Sequence, residues 1–316
     1  MTVERTSTMG QSSYMLSLIQ QASSNLNTTQ AQVASGLVST TYTGMNDKAS
    51  LLQATQTAVD KSNAYQANTA LAVNQSDLQD TQLTTLSNLA NSLTKALQDS
   101  VANNDSTTLM SQAQSIFDQA SQILNSTDAN GNYLYAGDKD NTAPLTVTSL
   151  SQLAAAPTVA SVFDNGTQKK SVLVGDGQSV TVGMLASDIG SQLMSTLKDI
   201  ATFDAGPTGN LSSASQLSQA QNDFLTSEIK PATDAATQIN TQAASNGYVN
   251  NQLTNAVTNQ QTMNTLYKTF QSSIQNVDMP TAITQLSQNQ LALQAAIQVT
   301  AQLGNISLLN YLPASG

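Results

Sequence analysis

The sequence predicts a mainly α-helical protein: a long antiparallel coiled-coil bundle formed by the N- and C-terminal segments, with a small β-rich insert in the centre. Three observations predict it. Apolar residues recur at alternating spacings of four and three toward both ends, the signature of a coiled-coil seam. The stretch from Lys48 to Ala102 contains neither glycine nor proline. Between about 138 and 182 the texture changes to short β-prone runs broken by turn residues. Helices separated by so much sequence must pair across the insert, which favours an antiparallel bundle.

The first helix is expected near Ser12. Its seam runs Met15, Ile19, Ala22, Leu26, Thr29 and Val33, and Gly36 interrupts it. Thr40 to Asp47 reads as a loop around Gly44. The long tract Lys48 to Ala102 carries Leu86, Leu89, Leu93 and Ala96 in phase. At 1.5 Å per residue it would extend about 80 Å, more than a compact domain needs. Asn103, Asn104 and Asp105 break it, and Asp105 or Ser106 is placed to cap the next helix, which bears Leu109, Ala113, Ile116, Ala120 and Ile123.

Asp128 to Gly131 stops that helix. Asn130-Gly131 is a strong hairpin signal, Tyr133 to Ala136 reads as a strand, and Gly137-Asp138 as a further turn. Within the insert, Ser171–Val174 and Gln178–Val182 read as strands around the turn Gly175-Asp176-Gly177. A short helix over Gly183–Ile200 bears Leu185, Ile189, Leu193 and Leu197, and Gly206, Pro207 and Gly209 form a linker.

Helix resumes at about Ser212, with Leu217, Ala220 and Phe224 on one face. Pro231 is expected to kink or break it and Asn246-Gly247 to turn the chain. The next seam, Val249, Leu253, Ala256, Gln260, Met263, Tyr267, Phe270, Ile274 and Val277, has no slip. Asp278 is placed to cap a last helix that takes Pro280 in its first turn. That helix carries Ile283, Leu286, Leu293 and Ile297, shifting to Val299, Leu303 and Ile306, and ends near Tyr311. Helices this narrow in seam and poor in charge either pair within the monomer or order against a neighbour.

Composition bounds the chemistry. There is no cysteine, so disulfides and thiolate metal sites are excluded, and no histidine, the commonest general base. Charged residues make up 9%, far below the usual quarter, and Ser, Thr, Asn and Gln supply the polarity. Such side chains are easier to bury against copies of the same chain than ions are. The net charge is -10 and the basic residues are scattered, so neither nucleic acid nor an anionic membrane is an expected partner. The N-terminus lacks the plan of a secretory signal, and no apolar run approaches the ~20 residues of a membrane span.

With these residues in hand, the sequence resembles the flagellin superfamily. The end of the first helix, Val33-Ala34-Ser35-Gly36, is similar to that family's first heptad helix and its glycine. The run Asp278-Met279-Pro280, with Ala282-Ile283, Leu286-Ser287-Gln288 and Leu291–Val299, resembles its closing helix. Ile306 to Leu312 fits the hook-associated branch. The loop Asn130-Gly131-Asn132-Tyr133-Leu134-Tyr135-Ala136-Gly137 is most similar to that of the hook-associated protein 3 family, the hook–filament junction proteins. The resemblance covers about 1–145 and 210–312. Two features depart from it: Met1-Thr2-Val3-Glu4-Arg5 at the start, and Gly44-Met45-Asn46-Asp47-Lys48 where an acidic pair is usual.

The resemblance implies a structural, non-enzymatic component of the bacterial flagellum, extracellular and exported through a type III channel without a cleaved signal peptide. It implies assembly helices over 1–45 and 278–316, a helical rod core over 46–137 and 211–277, and a variable insert over 138–210. Terminal helices in that family are disordered in the monomer and pack as coiled coils on assembly. The implied partners are further copies of the chain in a ring or filament, the first hook-associated protein and flagellin as axial neighbours, and a flagellar export chaperone, with no cofactor. Alternatives are a flagellin that forms the filament itself, and a secreted flagellin-like adhesion protein binding a ligand through its insert.

Little else points to a site. Asp138 and Asp140 lie near the loop, but calcium would need more carboxylates at closer spacing. Gly175-Asp176-Gly177 is not followed by the residues of a phosphate-binding loop. Tyr133 and Tyr135 are expected to pack on neighbouring helices rather than form a binding patch.

Overall fold

The computed structural model describes residues 2–305, and the side chains of residues 10–302. It is mainly helical, with long helices packed together and one two-stranded antiparallel sheet. The helices are α1 (Thr2–Ser35), α2 (Ala49–Asn103), α3 (Leu109–Leu124), α4 (Leu150–Ala155), α5 (Ala186–Asp204), α6 (Gln219–Gln275) and α7 (Met279–Asn305). The strands are β1 (Lys170–Gly175) and β2 (Gln178–Val182). Short 3₁₀ turns occupy Tyr42–Lys48, Ala160–Val162 and Leu211–Ser213. Among the described residues no helix is long and apolar enough to cross a membrane. The chain forms two compact units, one from residues 1–61 and 263–316, the other from 62–262.

In the first unit α1 packs against α7. Gly36, at φ +72°, lets the chain leave α1. It then meets the segment before α7 in a single antiparallel bridge, Leu37 opposite Asn276. The Val38 amide donates to the Gln275 carbonyl at 2.7 Å and the Val277 amide to the Gly36 carbonyl at 2.9 Å. Met45, Leu52 and Ile274 close a small core beside this crossing, joined by Val38 and Ala49. Two amides complete the packing of α2 on α6 here. Asn264 Nδ2 donates to the Val59 carbonyl at 3.3 Å, and Gln271 Nε2 to Gln56 Oε1 at 2.6 Å.

The second unit holds the main core, in which Leu83, Leu86, Leu93 and Leu97 of α2 pack with Leu109 and Phe117 of α3, Ile189, Leu193 and Leu197 of α5, and Leu225 and Ile239 of α6. The β1–β2 hairpin pairs Val172 with Val180 and turns through Gly177 at φ +68°. Its Val174 and Val182 pack on Ala72 of α2 and Leu253 of α6. Its tip is tied down by the Tyr65 hydroxyl, which donates to Asp176 Oδ1 at 2.7 Å, and by Gln260 Nε2, which donates to the Val174 carbonyl at 2.9 Å.

The structure corrects several expectations. Pro231 does not end α6, which runs on through it. The buried Leu225 before it and Ala232, Ala235, Ala236 and Ile239 after it hold both sides in one core, so packing outweighs the missing N–H. Asn246-Gly247 is not a turn but mid-helix, because the Asn246 amide is buried against α2 and spent on Ser76. Tyr133 to Ala136 is not a strand: only Tyr133 pairs, opposite Thr127. Neither Asp105 nor Ser106 caps α3. The Asp105 carboxylate accepts from the Thr107 amide and hydroxyl, and the Ser106 hydroxyl donates to the Leu211 carbonyl. Helix α4 had no expectation; Ser149 caps it, accepting from the Gln152 amide.

The α6 seam also drifts. Within the first unit Asn264, Tyr267, Gln271 and Ile274 face inward, while Met263 and Phe270 are exposed. A straight helix at 3.6 residues per turn slips against a 3.5-residue repeat by about 20° per heptad, which moves the inward row one residue toward the C-terminus.

Candidate assembly surface

Between Thr6 and Asn46 there is no Asp, Glu, Lys or Arg, and none from Met279 onward. Two helices, α1 uncharged from Thr6 onward and α7 uncharged throughout, therefore pack on each other in the first unit, one of the two arrangements left open by their sequence. On α1, Met15, Ile19, Ala22, Leu26 and Val33 are half-buried and Thr29 is buried. The facing row on α7 is Ala282, Leu286, Asn289, Leu293, Ala296 and Thr300, in the same spacing of four and three. A polar rung crosses the pair, where Asn289 Nδ2 donates to the Thr29 hydroxyl at 3.3 Å and to the Asn25 carbonyl at 3.4 Å.

This corrects two positions expected in the seam. Ile283 is 50% exposed and Ile297 51% exposed, whereas their neighbours Ala282 and Ala296 turn inward. Small side chains let two helix backbones approach closely, so the row nearest α1 is not the row of the largest apolar residues. The side chain of Leu303 lies outside the described residues, as do Ile306 and Tyr311.

The consequence is an apolar outer surface. Ile283 and Ile297 stand about four turns apart on one strip of α7. Leu291 is 67% exposed, and Leu16 of α1 and Phe270 of α6 are more than half exposed. Scattered exposed leucines are ordinary in a folded protein. Here those of α7, and Leu16 of α1, lie in stretches with no charged residue to keep them apart from copies of themselves.

The Asn130 loop belongs to the second unit. Asn130 and Gly131 are exposed, with Gly131 at φ +85°. Asp128 organises the turn: its Oδ1 accepts from the amides of Asn130 at 2.8 Å and Asn132 at 2.9 Å. These bonds, the one from Asn132 foremost, hold its carboxyl below the usual range. Tyr133 is half-buried, and Leu134 and Tyr135 are buried. The Tyr135 hydroxyl donates to Gln82 Oε1 at 2.6 Å, and burial pushes its pKa up. Gly137 is required where it stands. A Cβ there would come within 2.6 Å of the Gln168 carbonyl, and φ is +66°. Asp138 accepts from the Gln168 amide, and Asp140 pairs with Lys170 at 2.9 Å, so both loop acids are engaged locally.

Among the described residues no three His, Cys, Asp or Glu side chains are grouped to hold a metal ion. One carboxyl is perturbed. Glu228 of α6 is half-buried, its Oε2 has no hydrogen-bond partner, and burial together with nearby Asp199 of α5 raises it to about 7. Asp199 is itself raised, mainly by burial. The adjacent Lys198 offsets this only in part at Asp199, its ammonium also donating to the carbonyls of Ala154 at 2.9 Å and Ala156 at 2.6 Å. An open cleft of about 570 Å³ lies among α3, α4 and α5, its lining including Met110, Leu150, Ala154 and Ala201.

Sequence reasoning missed Asn246, Asn264, Gln271 and Asn289 as interhelical amides. The available signal was a polar residue recurring at heptad phase, which was followed only at Gln260.

Residues 229–312 match the family described as the bacterial flagellin C-terminal helical region. No curated protein matches the chain. Among solved structures, a putative flagellar hook-associated protein from Vibrio parahaemolyticus superposes with a TM-score of 0.59 at 16% identity, over 72% of this chain and 97% of that one. Bacillus cereus FlgL superposes with a TM-score of 0.52 at 14% identity, over 70% of this chain and 98% of that one. At these identities the two structures speak for the fold alone, and residues 229–312 are similar to the C-terminal helical region of flagellins.

Proposed function

We propose that this chain is a structural subunit of the bacterial flagellum, a non-enzymatic protein of the hook–filament junction kind. It adds to the axial structure through its terminal helices. The observation that carries this reading is the α1/α7 pair, uncharged from Thr6 of α1 and along all of α7, with Ile283, Leu291 and Ile297 exposed. The flagellin-like C-terminal helices and the fold shared with a hook-associated protein support it. In this reading residues 1–45 and 278–316 are the assembly segments and 138–210 a variable insert. Its partners are further copies of itself, the first hook-associated protein and flagellin as axial neighbours, and an export chaperone. The site of action is extracellular, after export without a cleaved signal.

A second reading, a flagellin that builds the filament itself, is favoured by the family description of residues 229–312. The two readings part on one experiment, in which the full chain is offered to flagellar hook fragments and growth is followed by electron microscopy. A junction subunit adds a short terminal zone and stops, whereas a flagellin elongates indefinitely. Deleting residues 1–40 or 280–316 should abolish addition in either case while leaving residues 62–262 folded. Addition that survives either deletion overturns the role given to the terminal helices.

A further inference from the structure

The sequence contains three Asn-Gly pairs, at Asn130, Asn165 and Asn246. An asparagine followed by glycine is chemically labile, because no side chain shields the following amide nitrogen. That nitrogen attacks the asparagine Cγ, and the Cγ–Nδ2 bond breaks. Nδ2 leaves as ammonia, taking up from water a proton that replaces the one the attacking nitrogen gives to water, and a succinimide ring remains. Water then opens the ring at either carbonyl, leaving aspartate or, with the backbone routed through the side chain, isoaspartate. Water is the only co-reactant, and nothing is oxidised or reduced.

The fold treats the three sites differently. Asn246 is 5% exposed and lies within α6. Its Oδ1 accepts from the Ser76 hydroxyl at 3.0 Å, and its Nδ2 donates to the Ser76 carbonyl at 2.8 Å. Helical backbone also carries the Gly247 nitrogen away from Cγ. Asn165 is half-buried, and both of its amide atoms are held by Ser187: Oδ1 accepts from the backbone amide and Nδ2 donates to the hydroxyl, each at 3.1 Å. Asn130 is exposed in an irregular turn, and its side-chain amide makes no hydrogen bond among the described residues. Of the two groups that would react, the Asn130 side-chain amide and the Gly131 nitrogen, the latter is engaged, donating to the Asp128 carbonyl at 3.0 Å, and that bond lies at the surface.

We propose that Asn130 is a site of spontaneous deamidation in the folded protein, while Asn165 and Asn246 are protected by the structure. The product places a carboxylate two residues from Asp128, whose own carboxylate already gathers the amides of Asn130 and Asn132. Isoaspartate adds a backbone methylene inside the loop closed by the Thr127–Tyr133 bridge. Each subunit would thus acquire charge and a loosened loop with age.

The test is peptide mapping by mass spectrometry of the full-length chain held warm at mildly alkaline pH, with and without denaturant. In the folded chain the Asn130 peptide should convert at least roughly tenfold faster than the other two, a ratio equal to about 1.4 kcal/mol of barrier. In denaturant the three rates should converge. Equal rates in the folded chain, faster conversion at Asn165 or Asn246, or no conversion at Asn130 while the denatured chain reacts, would each overturn the proposal.

Discussion

The amide of Asn246 closes two hydrogen bonds on one residue, Ser76, accepting from its hydroxyl at 3.0 Å and donating to its carbonyl at 2.8 Å. Both side chains are buried, Asn246 at 5% and Ser76 at 3% exposure. A paired buried amide contributes little net stability, but removing one partner strands the other. It also fixes which turn of α6 faces which turn of α2, since a slip would leave both unsatisfied.

Asn246→Ala should therefore lower stability by about 1–3 kcal/mol, because the Ser76 hydroxyl loses its acceptor. Denaturant melts of the variant check this. Combining Asn246→Leu with Ser76→Ala should recover most of the loss. A double variant as unstable as the single one would mean the pair does more than satisfy itself.

Glu228 makes the second unit sensitive to pH. Its carboxyl is raised to about 7 in the folded chain from an ordinary 4.5, so the folded state binds the extra proton between those values. The contribution is present in full below 4.5 and is lost as pH rises through about 7. Thermal melts should show the unit less stable at pH 8 than at pH 5.5. Glu228→Gln should flatten that slope and raise the melting temperature at pH 8. Solvent reaches part of this side chain, so the effect should be smaller than a fully buried carboxyl would give.

Pro231 sits in the interior of α6 and leaves the Ser227 carbonyl without its helical donor. Pro231→Ala restores that N–H, and up to about 3 kcal/mol of stability should be gained. The gain would appear as a higher melting temperature with helicity by circular dichroism unchanged or slightly higher. A loss would show that α6 is shaped around the proline.

Much of this architecture was legible because periodicity reports burial directly. The long α2, the α3 stripe, the β1–β2 hairpin around Gly175-Asp176-Gly177 and the α1 row from Met15 to Val33 all sit in places their spacing indicates. What stayed hidden had a common cause: local signals lost to tertiary packing. Asn246-Gly247 and Pro231 are strong punctuation in isolation, yet each is overruled by buried neighbours on both sides. The outer position of Ile283 and Ile297 was hidden for a different reason. Hydrophobicity alone prefers isoleucine to the adjacent Ala282 and Ala296, but close helix packing prefers alanine.

That last difference gives the most direct test. Ile283→Glu combined with Ile297→Glu places two charges on the exposed strip of α7 and leaves the inward row intact. Addition of the full chain to flagellar hook fragments, counted by electron microscopy beside circular dichroism of the free protein, is the measurement. The variant should keep the helicity of the parent and lose its addition to the hook. A variant that adds as well as the parent, or a parent that never adds at all, would contradict the assignment of this surface to assembly.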